Sequence, residues 1–120
     1  MDQDQNYKIF PADAKIPMVL GGLTRFSPSE QDVSNGLKLL SNHLKGNIAI
    51  RDLAEYNIRF FGFINQTKEK ILLAEYICRS SSVDWRNNLE GAEGGGNCYF
   101  EIKVNLDKAV IYDLKINGII

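Results

Sequence analysis

Apolar and polar residues alternate with a period of two in four segments of the second half of this 120-residue chain. The clearest segment runs from Cys98 to Leu106, where every even-numbered residue is apolar. Successive side chains of a β-strand point to opposite faces of a sheet, so this period predicts strands with one buried face. The hairpin-like connections favour antiparallel neighbours joined as a meander. We expect the four strands at residues 56–64, 70–78, 98–106 and 110–116.

A helix is predicted before these strands. Residues Ser27–Glu30 match a capping box, with Ser27 as the N-cap, Pro28 at the first helical position and Glu30 as the reciprocal partner. An apolar stripe at helical spacing follows, and Gly46-Asn47 is typical of a helix end. The residues of the stripe are Val33, Leu37, Leu40 and Leu44. We therefore expect a helix over residues 27–46.

These patterns predict an α+β fold in a single domain that spans residues 1–120. Its expected parts are an extended N-terminal arm (1–26), one N-terminal helix (27–46) and a four-stranded antiparallel meander sheet (56–116), to which the arm could add a strand. The even-numbered strand residues form the more consistent apolar set, so that face of the sheet should pack on the helix.

The odd-numbered face of the predicted sheet is also rich in apolar side chains. It includes Phe61, Phe63, Leu73 and Tyr99, and an exposed apolar patch of that size is unusual on a monomer. One interpretation is that the N-terminal arm covers this face, or that a bulge at Gly62 changes the parity of its strand. The other is an interface with a partner protein or with a second copy of the chain.

Composition argues against several kinds of partner and site. The chain has 14 basic and 15 acidic residues and a net charge of −1, which gives no electrostatic reason to expect nucleic acid. No apolar run approaches the roughly 20 residues of a transmembrane helix. One histidine, His43, and no C-x-x-C or H-E-x-x-H motif make a metal site unexpected. We expect no cofactor.

Cys78 and Cys98 both have the parity of the buried face, where a thiol is usually inert, so we expect no cysteine nucleophile. They stand at the facing ends of two consecutive predicted strands, a position that a disulfide could bridge. A disulfide and two buried thiols both stay open, because the compartment is unknown. The polar start, Met1–Gln5, fits a cytoplasmic protein or one whose signal peptide has been removed.

The long loop 79–97 contains Trp85, followed by Arg86. A tryptophan in a polar loop either packs back over the sheet edge or serves as a binding anchor, since Trp and Arg are enriched in interface hot spots. The Gly-rich stretch Gly91–Gly96 lacks the G-K-[ST] sequence of a phosphate-binding loop. Because of their residue types and their place in this loop, Trp85 and Arg86 are candidate binding residues in addition to those of the odd-numbered face.

Five motifs follow one another within about residues 27–120: Arg59–Asn65, Trp85, Gly95–Phe100, Val104–Leu106 and Asn117–Gly118. Together they resemble a family of small uncharacterised proteins common in the Bacteroides group of bacteria. Many members have an acidic residue before the Gly-Gly pair, where this chain has Gly94. Members often carry export signals, so the resemblance implies a periplasmic or lipoprotein setting. It implies no activity.

The order of elements, a Gly-Gly arm, a helix, two strands, a long loop and two strands, resembles the cystatin-like fold or a related cone-shaped architecture. Met18–Leu23 is similar to the arm that cystatins place in a cysteine-protease cleft. The first hairpin, Asn65–Glu69, lacks the Q-x-V-x-G sequence, and the second, Asp107-Lys108, lacks the Pro-Trp pair. The resemblance therefore implies the fold more than the inhibition of proteases.

Our first hypothesis for function is a non-enzymatic binding protein that uses the 79–97 loop or the outer sheet face. Its partner would be another protein or a second copy of the chain. The alternative is a small-molecule-binding protein or enzyme with a pocket between helix and sheet, where Tyr56, Tyr76 and Tyr112 would supply hydroxyls. A weaker alternative is a cystatin-like protease inhibitor. A deep pocket lined by the three tyrosines would favour the small-molecule hypothesis, and a filled core would favour the first.

Overall fold

The computed structural model of the protein describes residues 6–14, 24–80, 85–86 and 96–116. Within them the chain forms one α-helix and six β-strands. In chain order these are β1 (Asn6–Ile9), β2 (Thr24–Phe26), α1 (Glu30–Leu44), β3 (Tyr56–Ile64), β4 (Lys70–Cys78), β5 (Tyr99–Asn105) and β6 (Val110–Ile116). A short 3₁₀ turn precedes β3 (Leu53–Glu55) and another precedes β5 (Gly96–Cys98).

Helix α1 has Ser29 as its N-cap, so the predicted cap at Ser27 is wrong. The Ser29 hydroxyl accepts a 3.0 Å hydrogen bond from the Asp32 N–H, and the Asp32 carboxylate accepts one of 3.0 Å from the Ser29 N–H. Two capping signals overlap in this segment, and the second one is used. The Ser27 hydroxyl instead accepts a 2.8 Å hydrogen bond from the Ala12 N–H. That bond ties the N-terminal arm to the start of the helix.

The strands form one mixed sheet, and the predicted four-stranded antiparallel meander is therefore wrong. The strand order is β1-β3-β4-β5-β6, and β2 also pairs with β3. Strand β1 runs parallel to the first part of β3, whereas β2 runs antiparallel to its last part. The four predicted strands are present with bounds within one residue of those expected. The error lies in the arm, which adds two strands to the sheet.

The two arm strands satisfy the edge of β3, which would otherwise leave a row of backbone N–H and C=O groups unpaired. The register runs from Asn6 opposite Asn57 to Ile9 opposite Phe60 in the parallel pair. A parallel partner far along the chain leaves no turn signal in the sequence. For that reason, local patterns did not reveal it.

The inner face of the sheet packs on α1 and carries the main core. Even-numbered residues of β3, β4 and β5 provide it, as the alternation predicted. Its largest buried side chains are Tyr56, Ile58, Phe60, Leu72, Tyr76, Phe100, Ile102 and Val104, and Val33, Leu40 and Leu44 of α1 pack against them. Gly36 allows this close packing, since a Cβ there would lie 2.6 Å from Leu72 Cδ1.

A bulge between β5 and β6 reverses the parity of the first part of the last strand, residues 110–112, whereas Leu114 and Ile116 keep the inner face. The register shifts between Glu101 and Lys103, and Asp113 has a φ of 58°. As a result Tyr112 lies opposite Lys103, away from the helix, although the alternation placed it on the inner face. Ile111, expected on the outer face, packs instead against the main core. The bulge proposed at Gly62 is absent, because β3 and β4 pair without a register shift.

Helix α1 has 15 residues, and no helix in the described part of the chain is both long and apolar enough to cross a bilayer.

Candidate functional site

The apolar half of the outer sheet face is closed by the chain's own arm. Phe61, Phe63 and Leu73, three of the candidate binding residues, are each at most 1% exposed, so they form no open surface in the described structure. A binding role for them stays a prediction. The ring of Phe10 stacks on that of Phe61 with 4.9 Å between centroids. Of the interpretations weighed for this face, cover by the arm is the one that the structure shows for its apolar half.

Arg25 of β2 holds the arm against the outer sheet face. Its guanidinium carbon lies 6.0 Å from the Phe61 ring centroid and 5.3 Å from that of Phe63. The same group donates hydrogen bonds to the carbonyl oxygens of Gly62 (3.3 Å), Ala14 (2.9 Å) and Pro11 (3.2 Å). Gly62 is needed here because a Cβ would lie 2.6 Å from the Phe26 carbonyl oxygen of β2. The arm is therefore held by charge, ring contact and backbone together.

The other half of the outer face holds a buried ion pair. Arg59 Nε lies 2.9 Å from Glu75 Oε1, and the two side chains are 1% and 6% exposed. Tyr99, a predicted site residue, shares a hydrogen bond with Glu75. Burial raises the pKa of Glu75, and the neighbouring Arg59 and Tyr99 partly offset that rise. Burial likewise raises the pKa of Tyr99, so its hydroxyl stays protonated at neutral pH. Arg59, Glu75 and Tyr99 therefore interact with one another rather than with solvent.

The Trp85–Arg86 pair lies near the arm at the outer face. Trp85 is half-buried and Arg86 is exposed, with the Arg86 guanidinium carbon 4.4 Å from the Trp85 ring centroid. Lys8 Nζ donates a 2.9 Å hydrogen bond to the Arg86 carbonyl oxygen and lies 5.0 Å from the Phe10 ring centroid. Residues 81–84 and 87–95 of the predicted loop lie outside the described residues. A binding role for Trp85 and Arg86 stays a prediction.

The three tyrosines proposed for a helix–sheet pocket do not line one cavity together. Tyr56 and Tyr76 are buried, and the ring of Tyr76 stacks on Phe100 at 4.4 Å between centroids. Tyr112 lies on the opposite face because of the β6 bulge. Aromatic rings fill the space where the pocket was expected. The core therefore matches the packed arrangement that favours the first hypothesis.

An open groove lies instead at the carboxyl end of α1. It is formed with the connector, which we define as residues 45–55 between α1 and β3. The groove has a volume of about 490 Å³. Its apolar wall includes Leu44, Ile50 and Leu53. The charged residues that line it are Lys45, Arg51 and Asp52.

Ile48 is the most exposed large apolar side chain in the described residues, at 99%. It stands in a turn that Asn47 closes. The Asn47 N–H donates to the Leu44 carbonyl oxygen (3.0 Å), and the Asn47 side-chain oxygen accepts from the Ala49 N–H (2.9 Å). Gly46 has a φ of +78°, a conformation that lets the chain leave the helix in this direction. Ile48 is therefore held outward next to the groove.

Tyr56 and Asn97 hold the rest of the connector in place. The Tyr56 hydroxyl donates to the Asn97 carbonyl oxygen and accepts a 3.0 Å hydrogen bond from the Arg51 N–H. The Asn97 side chain accepts from Arg51 Nε (3.1 Å) and donates to the Ala49 carbonyl oxygen (3.3 Å). Burial raises the pKa of Tyr56, which keeps the donating proton on its hydroxyl. The connector has little regular secondary structure, but hydrogen bonds hold it in place at several points.

Cys78 and Cys98 form a disulfide beside this network, with 4.8 Å between their Cα atoms. In the sheet register, Cys78 lies opposite Tyr56. Since both sulfurs are bonded to each other, neither is available as a nucleophile in this form. The disulfide joins the end of β4 to the 3₁₀ turn that contains Asn97.

Among residues 6–14, 24–80, 85–86 and 96–116, no three side chains of His, Cys, Asp or Glu come together to hold a metal ion. His43, the one histidine of the sequence, is exposed in the last turn of α1. The chemistry that the groove offers is apolar contact with hydrogen bonding at its rim.

Sequence patterns missed the connector groove. One signal was available: an isoleucine directly follows the helix-ending pair Gly46-Asn47, in a position with neither helical nor strand periodicity. An apolar residue directly after a helix end belongs to no periodic set of apolar residues that would face the core. That could have marked Ile48 as a surface residue.

No family model, curated protein or solved structure matches this chain.

Proposed function

We propose that this protein is a non-enzymatic binding protein whose connector groove contacts another protein. The observation that carries the proposal is Ile48, a large apolar side chain that is 99% exposed beside a groove of about 490 Å³. Interface hot spots combine an apolar anchor with a neighbouring pocket that loses its water on binding. Ile48 and the groove supply these two parts side by side.

The fixed position of the connector supports the same proposal. The side chains of Asn47 and Tyr56 accept hydrogen bonds from the connector backbone, and that of Asn97 donates one to it, so the backbone around Ile48 is held in place. A surface that is ordered before binding loses less conformational entropy when a partner docks. Full burial of an isoleucine side chain stabilises a complex by about 1.5–3 kcal/mol. Because little ordering is needed, most of that free energy would be available as affinity.

The alternatives have weaker support. A helix–sheet pocket for a small molecule would need space that Tyr56, Tyr76 and Phe100 fill. Protease inhibition in the cystatin manner would depend on the Gly21-Gly22 arm, which lies outside the described residues, and on hairpin sequences that the chain lacks. The resemblance to the Bacteroides family, and the export that it implies, carry no activity to transfer.

Affinity capture with an Ile48→Asp variant tests the proposal. Wild-type protein and variants are immobilised, and proteins retained from lysate of the source cells are quantified by mass spectrometry. The retained protein is then purified, and its Kd is measured by calorimetry. We expect the variant to weaken binding about 10- to 100-fold, the equivalent of losing the buried isoleucine.

Val110→Asp is the matched control, because Val110 is 49% exposed on β6 and is not part of the groove. This control should bind like wild type. A partner that binds Ile48→Asp as tightly as wild type would contradict the proposed site. If that partner is lost instead from Trp85→Ala, the contact belongs to the 79–97 loop.

A further inference from the structure

We propose that thiol–disulfide exchange at Cys78–Cys98 controls the conformation of the connector. This inference rests on the proposed function only for its effect on binding; the link between disulfide and connector can be measured without a partner. The site of modification is the disulfide itself, and its reactant class is a dithiol reductant.

Both cysteines stand next to residues that hold the connector. Arg79 follows Cys78, and its N–H donates a 2.8 Å hydrogen bond to the Glu55 carbonyl oxygen at the end of the connector. Asn97 precedes Cys98, and its side chain contacts Ala49 and Arg51 in the middle of the connector. The disulfide therefore joins the two chain segments that grip the connector from either side.

The Tyr56 hydroxyl completes the link. Tyr56 lies opposite Cys78 in the β3–β4 register, and its hydroxyl bonds both the Asn97 carbonyl oxygen and the Arg51 N–H. The position of Asn97 thus decides whether the Tyr56 hydroxyl and Arg51 Nε keep their hydrogen bonds to Asn97. Because Asn97 is bonded directly to Cys98, loss of the disulfide frees the turn that contains Asn97. The hydrogen bonds of Asn97 to Tyr56 and to the connector are then weakened.

The two sulfurs differ in access. Cys78 is 2% exposed, whereas Cys98 is half-buried, so an attacking thiolate reaches the Cys98 sulfur first. The thiolate forms a bond to the Cys98 sulfur, the Cys78–Cys98 bond breaks, and Cys78 leaves as a thiolate that takes a proton from water. The second thiolate of the reductant then displaces Cys98, which is also protonated. The reductant ends as a disulfide and the protein as two thiols.

The sheet is expected to survive this reduction. Strands β4 and β5 pair from Ile71 opposite Asn105 to Ile77 opposite Tyr99, and neither cysteine takes part in these seven pairs. The core side chains of the inner face extend well beyond Cys78. The consequence of reduction is therefore local: the connector loosens, and the wall of the groove beside Ile48 loses its fixed shape.

Amide hydrogen exchange read by mass spectrometry tests the inference on the whole chain, with and without dithiothreitol. Reduction should speed exchange in the peptide that covers residues 47–55 by about tenfold, the size expected from losing one or two hydrogen bonds. Exchange in β3 and β4 should stay within twofold. The double variant Cys78→Ser/Cys98→Ser should reproduce the fast connector without reductant, and Asn97→Ala should do so with the disulfide intact.

Two outcomes would overturn the inference. Connector exchange that does not change on reduction would show that the disulfide does not act on it. Equal acceleration of the connector and the sheet would show that the disulfide sets only global stability. Failure of the proposed function is separate, since it appears as unchanged partner binding by Ile48→Asp whatever the exchange rates are.

Discussion

The outer face of the sheet and the connector present their apolar side chains in opposite ways. Phe61, at the centre of the outer face, is 1% exposed, whereas Ile48 on the connector is 99% exposed. The sequence pattern left the outer face either covered by the arm or open as a binding surface, because its apolar residues are numerous and alternate with the buried set. The structure closes that face with the chain's own arm and leaves the connector open.

Apolar content alone therefore does not distinguish a binding surface from a second core. What distinguishes them is whether another part of the same chain covers the side chains. Phe10 and Arg25 perform this role on the outer face. On this account, substitutions on the outer face should change stability, and substitutions on the connector should change binding.

The largest expected effect is on the outer face. Phe61→Ala removes a buried ring that stacks on Phe10, so the free energy of unfolding should fall by about 3–5 kcal/mol. Urea denaturation followed by circular dichroism measures it. A loss below about 1 kcal/mol would mean that the face is not packed as described.

Removal of the Arg25 side chain, which holds the arm on the sheet, should lower the free energy of unfolding by a smaller amount. Arg25→Ala deletes contacts with two rings and three carbonyl oxygens, and we expect a loss of about 2 kcal/mol in the same assay. Lys70→Ala is a matched control, because Lys70 Nζ also lies over a ring, 5.4 Å from the centroid of Phe26, but on an exposed residue. Equal effects for Arg25→Ala and Lys70→Ala would argue against this role of Arg25.

Acid should separate stability from binding. Hydrogen bonds from Asn65, Thr67 and Asn105, together with the charge of Lys108, lower the pKa of Glu69 from 4.5 to about 2. A carboxyl group with a lowered pKa in the folded state stabilises the fold above its unfolded pKa, and this contribution fades as the pH falls from 4.5 towards about 2.

The unfolding free energy of wild type should therefore decrease between about pH 5 and about pH 3, and Glu69→Gln should flatten that decrease. Partner affinity per folded molecule should change little over the same range, since the proposed contact is apolar. Glu69→Gln and wild type losing stability in parallel would assign the acid sensitivity to other carboxyl groups.

Much of the fold was predictable because it depends on local patterns. The alternation between residues 56 and 116 located β3 to β6, since each strand shows its buried face as a period of two. The pairing of β1 (Asn6–Ile9) with β3 was not predictable, because a parallel pair is joined by a long connection. The reversed parity before Asp113, at residues 110–112, was missed because a non-glycine residue at a φ of 58° leaves no mark on hydrophobic spacing.

The candidate site was less predictable than the fold. Trp85 was a candidate because of its residue type in a polar loop, and Tyr99 because of its place on the odd-numbered face, where it shares a hydrogen bond with the buried Glu75. Ile48 carries no motif. Its importance comes from the turn at Asn47 and from the hydrogen bonds of Asn97, which lies far along the chain, and such contacts exist only after folding.

The most direct test of this account measures stability and partner binding together for Ile48→Asp. Because Ile48 is 99% exposed, the account predicts an unfolding free energy within about 0.5 kcal/mol of wild type. It also predicts a Kd weakened about 10- to 100-fold. An Ile48→Asp protein that folds normally and binds its partner with unchanged Kd would contradict the central claim that the connector is the binding site.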